Sequence, residues 1–172
     1  KIIQLLIDAA PDSASSEDNY GCMPLHKLCW NKALDDATAI QILKLLLEKC
    51  PAAIRHANNY GFLPIHIASG NKSPEFCRVL IEAYPGCERI LDSEEMLPLH
   101  FACMYNAAAT VEYLYRLHPD AVNHTTTHGL CPIHYAISSV GRSRDDPITA
   151  ADVVKYLLDC SPNVKLQKVG GT

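Results

Sequence analysis

Apolar residues along this chain fall into two alternating rhythms. From Ala39 to Cys50 the apolar positions Ala39, Ile42, Leu43, Leu46, Leu47 and Cys50 follow the i, i+3, i+4, i+7 spacing of one face of an α-helix. Ala150, Val153, Val154, Leu157 and Leu158 repeat that spacing near the other end. A leucine stands five positions before a proline every time: Leu6, Leu46, Leu80, Leu114 and Leu157 precede Pro11, Pro51, Pro85, Pro119 and Pro162. A column of this kind predicts amphipathic helices that bury their apolar faces only against each other.

Between these helical stretches lies a second, shorter pattern. GCMPLHKLCW (21–30) recurs as GFLPIHIASG (61–70), EMLPLHFACM (95–104) and GLCPIHYAIS (129–138). From each of the first four prolines named above to the histidine of the next copy is 15 residues, whereas the interval from that histidine to the following proline is 25, 19, 19 and 28. The length variation therefore sits in one half, around 31–36 and 141–147, where turn-forming residues predict exposed connections. The invariant half predicts a tightly constrained turn.

Pro24, Pro64, Pro98 and Pro132 suit the first turn of a short helix, where a missing N–H costs nothing. Upstream stand Asp18-Asn19-Tyr20-Gly21, Asn58-Asn59-Tyr60-Gly61 and Thr126-Thr127-His128-Gly129, which is β-turn chemistry. The third copy puts Glu95 where the others have glycine. If the turn needs a positive φ, Glu95 is strained or its turn differs.

A turn, then G-x-x-P-L-H-x-A, then two antiparallel helices in about 33 residues resembles the ankyrin repeat. Gly21, Pro24, Leu25 and His26 carry the resemblance in the first copy, and Gly61, Pro64, Ile65, His66 and Ala68 in the second. The third supplies Pro98, Leu99, His100 and Ala102, and the fourth Gly129, Pro132, Ile133, His134 and Ala136. The LPLH-plus-proline variant is similar to ankyrin sets of some unicellular algae. The resemblance implies an all-α solenoid of antiparallel helix pairs joined by β-hairpin-like finger loops. It divides the chain into a leading outer helix (1–10), repeats at 12–50, 52–84, 86–118 and 120–160, and a tail (161–172).

Two departures stand out. The family's threonine before the motif proline is replaced by Met23, Leu63, Leu97 and Cys131, which removes a helix cap worth about 1 kcal/mol each. The motif imidazole is positioned to compensate by reaching back to turn backbone, as a capping-box side chain does. The family's glycine after the second helix is replaced by proline, so that helix ends by exclusion rather than through a left-handed cap.

Several groups invite a chemical reading. Cys22, His26 and Cys29 are three zinc-ligand types, but structural zinc needs four that converge. The equivalents of Cys22 are Phe62, Met96 and Leu130, so the column reads as apolar filler. His26/Cys29 and His100/Cys103 sit at i, i+3, the reach of a thiolate–imidazolium pair, yet the histidine recurs in copies without cysteine. His124 and His128 fall in a turn and read as solvated loop residues. No phosphate loop, GxSxG or HExxH motif is present. The expectation is a non-enzymatic protein with no cofactor and no metal.

In ankyrin arrays partners meet finger tips and exposed inner-helix positions. Carried over copy by copy, the resemblance nominates Asn19, Tyr20, Trp30 and Asn31, then Asn59, Tyr60, Phe62 and Asn71, then Glu94, Met104 and Tyr105, and finally His128. Aromatics and Met are enriched at interface hot spots. Against this, Phe62 and Met96 could equally pack between fingers, and Trp30 beneath the first insertion. The family's use implies a scaffold that binds a protein partner through the concave face, or alternatively a regulatory or targeting segment of a larger enzyme or channel.

Composition narrows the partners. The net charge of −4 and the scattered 15 basic residues argue against nucleic acid. No stretch approaches the ~20 apolar residues of a membrane span. Eight cysteines without a C-x-x-C pair, set in apolar segments, read as reduced thiols of an intracellular, cytoplasmic protein. Neither terminal helix shows the polar outer face of a capping repeat, so a longer parent chain is expected.

Overall fold

The computed structural model describes residues 10–139 and 147–160. The 1–10 helix, the insertion at 141–146 and the 161–172 tail expected above lie outside or almost outside those residues. Eight α-helices appear among the described residues: α1 (Pro24–Trp30), α2 (Asp36–Lys49), α3 (Pro64–Asn71), α4 (Pro74–Ala83), α5 (Pro98–Met104), α6 (Ala108–Leu117), α7 (Pro132–Ser139) and α8 (Pro147–Cys160). The odd-numbered inner helices pack on one another in chain order, and so do the even-numbered outer ones. Each inner helix also leans on its own outer helix. No strand occurs among the described residues.

The leucine column lies in the core: Leu46, Leu80, Leu114 and Leu157 are buried. Removing one such side chain costs roughly 2–5 kcal/mol. Where sequence suggested only a stop, the proline after α2, α4 and α6 leads into something. Cys50, Tyr84 and His118 share one conformation, φ −137 to −143 and ψ 77 to 81, because proline excludes the helical region for the residue before it. The chain then re-enters a short 3₁₀ turn, at Pro51–Arg55, Cys87–Arg89 and Pro119–Asn123, with a matching one at Pro11–Ser15. The invariant half of the repeat thus contains a helical turn as well as a finger.

Each finger is closed by one side chain. Oδ1 of Asn58 accepts from the backbone N–H groups of Tyr60 and Phe62, both at 3.0 Å. Asp18 does the same for Tyr20 and Cys22, and Asp92 for Glu94 and Met96. Thr126 Oγ1 accepts one such bond, from the Leu130 N–H at 3.4 Å. Glu95 adopts φ +60 in the same turn as its glycine counterparts. The strained alternative is therefore the one realised.

The motif histidines close the inner helices and join the copies. Nδ1 of His26, His66, His100 and His134 accepts from the backbone N–H of Met23, Leu63, Leu97 and Cys131 at 3.0 to 3.2 Å. Nε2 of His26, His66 and His100 donates to the carbonyls of Phe62, Ile90 and His124 in the next copy, at 3.0, 3.0 and 3.2 Å. A backbone N–H can only donate and a carbonyl only accept, so both partners together fix the neutral Nε2–H tautomer.

One column shows how the stack is filled. Ile67, Phe101 and Tyr135 occupy equivalent positions, each one residue after a motif histidine. Phe101 meets Phe62 edge-on at 5.0 Å, and Tyr135 meets His100 at 5.6 Å. The first copy has Lys27 there, exposed and paired with Asp18 at 2.5 Å. That carboxyl is held down at about 2, chiefly by the hydrogen bond from Lys27.

Candidate functional site on the finger tips and inner helices

Successive fingers are tied tip to tip. The carbonyl of Tyr20 accepts from Asn59 N–H at 3.0 Å, that of Tyr60 from the Ser93 hydroxyl at 2.6 Å, and that of Glu94 from Thr127 N–H at 3.0 Å. The tip residues thereby contribute backbone to the scaffold and turn their side chains out. Tyr20 and Tyr60 stack at 6.4 Å between centroids and remain 57% and 52% exposed, the two most exposed large aromatic or aliphatic side chains described. Asn19, Asn59, Glu94 and His128 are exposed beside them. Asn59 Nδ2 donates weakly to the Asn19 carbonyl, at 3.4 Å.

Phe62 stands lower. It is half-buried, stacked on Tyr60 at 5.7 Å and edge-on to Phe101, so it supports the tip more than it presents a surface. Met96, its equivalent, is buried. These two side chains pack between fingers.

Along the inner helices Trp30 is exposed at the end of α1 (39%), Asn31 follows it in the open, and Met104 and Tyr105 are half-buried. Nδ2 of Asn71 donates to the Ile67 carbonyl at 2.7 Å, closing α3. Tyr105 packs against α3: a Cβ added to Gly70 would come within 2.3 Å of its ring. Tyr105 and Gly70 therefore join the second and third copies on this face.

Two lysines at this face were not singled out from sequence, although both stand six residues after a motif histidine. Lys32 Nζ sits 5.3 Å from the centre of the Tyr105 ring. Lys72 is buried, donates from Nζ to the Asn31 carbonyl and faces the Phe76 ring, and burial lowers its pKa. It links the first helix pair to the second.

The histidines of the fingers correct one expectation. His124 is not a solvated loop residue. It is half-buried, edge-on to His100 at 5.9 Å, and donates from Nε2 to the Glu95 carbonyl at 3.0 Å. His56 does the same toward the Gly21 carbonyl, edge-on to His26. Repetition of histidine at positions 56 and 124, both five after a proline, was the available signal.

The thiols beside the motif histidines are inert in character. Cys29 and Cys103 are fully buried and burial drives their pKa values far up, so neither supplies a thiolate to His26 or His100. Among the described residues no three metal-ligating side chains converge, and no helix is long and apolar enough to cross a membrane.

A stack of helix pairs joined by fingers, each copy held chiefly to its neighbours, defines a helical repeat protein. Residues 85–168 match the family model for ankyrin repeats, in three copies. That segment belongs to the ankyrin-repeat family, and the same finger and histidine geometry continues through the copy around His66 and the one around His26. No curated protein matches it.

Proposed function

We propose that this chain is a non-enzymatic scaffold that captures a protein partner on the face made by its finger tips and inner helices. Ankyrin repeats are in general protein-interaction modules, and the observation that carries the reading to this face is the stacked, exposed Tyr20–Tyr60 pair. Large rings left in water without a structural duty mark interaction surfaces. Asn19, Asn59, Glu94 and His128 form its polar rim, with Trp30, Asn31 and Tyr105 extending it along the helices and Asn71, Phe62 and Met104 supporting it. The repeat divisions at 12–50, 52–84, 86–118 and 120–160 are part of the same proposal, one finger and one inner helix from each. All eight cysteines are free, which supports placement in a reducing intracellular compartment.

The test is affinity capture from a cell extract with wild type beside a triple variant, Tyr20→Ala, Trp30→Ala and Tyr60→Ala. All three side chains are exposed, so far-UV CD should be unchanged. A partner lost only with the variant supports the face, and undiminished capture refutes it.

A further inference from the structure

The fingers share a property that no single residue displays. Residues 16–23, 56–63, 90–97 and 124–131 contain no lysine or arginine, yet they hold Glu17, Asp18, Asp92, Glu94 and Glu95. Asp18 is paired with Lys27, and Asp92 is buried. Glu17, Glu94 and Glu95 are exposed, and among the described residues no lysine or arginine reaches them. Glu17 has only His56, at 3.5 Å.

The rings tell the same story. Elsewhere in the molecule, aromatic faces already carry cations: Arg55 lies 3.9 Å over Tyr84, Lys32 5.3 Å over Tyr105 and Lys72 5.5 Å over Phe76. Tyr20 and Tyr60, more exposed than any of these, have none among the described residues. Tyr20, Tyr60 and Glu94 occupy the same finger position in three successive copies, and the tips are bonded in series, so they form one row.

We infer that this row docks an extended, arginine-bearing segment of the partner protein, with guanidinium groups on the Tyr20 and Tyr60 rings and a further cation paired with Glu94 and Glu95. The inference rests on the finger face being the protein-binding face. Arginine suits the rings better than lysine because its planar, weakly hydrated head stacks on an aromatic face. Exposed carboxylates in a field without local cations also speed the encounter with a basic chain, and repel phosphate backbones.

Fluorescence anisotropy of a labelled glycine–serine peptide carrying three arginines tests this, with citrulline and lysine versions as controls. The arginine peptide should bind the wild-type chain, and replacing arginine by uncharged citrulline should weaken binding at least about tenfold. Tyr60→Ala should weaken it about two- to fivefold, and Glu94→Lys with Glu95→Gly by more. Each variant's melting temperature shows whether it folds. No binding, or binding equally tight for the lysine peptide and indifferent to Tyr60→Ala, overturns the inference. A captured partner that needs Tyr20 and Tyr60 but tolerates Glu94→Lys with Glu95→Gly also overturns it, while leaving the finger face intact as a binding site.

Discussion

His66 and Ile90 are joined across two copies by one hydrogen bond of 3.0 Å, made while the other nitrogen of the same ring holds the Leu63 N–H. The ring has no exposure to solvent, and burial pushes its pKa down to about 4. His100 is in the same state, also at about 4, through burial first and the neighbouring His124 second.

That arrangement sets a pH dependence. An unfolded histidine titrates near 6.5, so below that pH the unfolded chain takes up protons that the folded one refuses. The stabilisation from His66 and His100 is complete above about pH 6.5 and is lost as pH falls toward 4, on the order of 3 kcal/mol for each ring. Asp92 acts in the opposite sense: burial raises its carboxyl, so acid removes a cost. Urea unfolding midpoints should be level between pH 8 and 7 and decline steeply from 6.5 to 4.5. A midpoint that stays level across that lower range would show that the imidazoles do not hold the seams.

Glu95 offers a gain. Its φ of +60 is the conformation glycine provides in the other three fingers. Glu95→Gly should raise stability by about 0.5–1 kcal/mol, the left-handed penalty less the added freedom of the unfolded chain. The converse changes should be unequal. Gly61→Ala would bring a Cβ within 2.7 Å of the Ser93 backbone nitrogen, whereas at Gly129 nothing lies within 4 Å. Thermal melts should therefore rank Gly61→Ala well below Gly129→Ala.

Gly70 is under a different constraint, since the Tyr105 ring and the Phe101 carbonyl fill the space beside it. Gly70→Ala should expel that ring from α3, with a cost of about 1–3 kcal/mol from overpacking. The double variant with Tyr105→Ala should recover part of it. Additive losses in the two single variants would deny the contact.

Thiol titration reads the burial directly. Cys29, Cys77, Cys87 and Cys103 are buried with raised pKa values, Cys77 and Cys87 at about 12, and Cys22 and Cys131 are buried as well. Cys50 and Cys160 are half-buried. Ellman's reagent should react quickly with those two in the native protein and with all eight after denaturation. Fast reaction of Cys29 would contradict a structural role for the thiols near His26.

Much of this was legible in the chain because its marks recur. Proline at fixed distance from histidine located the inner helices, and glycine three positions after Asp18, Asn58 or Thr126 located the turns. Glu95 announced its own strain by replacing a glycine. What sequence hid were consequences of the proline itself: as a helix stop it concealed the 3₁₀ turn that follows. His56 and His124 were obscured for a different reason. A histidine in a loop looks solvated until the neighbouring copy is stacked against it, and that contact is set by the fold, not by local pattern. Lys72 escaped notice likewise, because its burial depends on the Asn31 carbonyl 41 positions earlier.

The turn in each finger is held by one inward side chain, Asp18, Asn58, Asp92 or Thr126, while the two residues after it lend mainly backbone. On the proposed reading, shape and specificity are thus assigned to different positions. Sites 19, 20, 59, 60, 94, 127 and 128 can drift, or be randomised in a display library, with the architecture left standing.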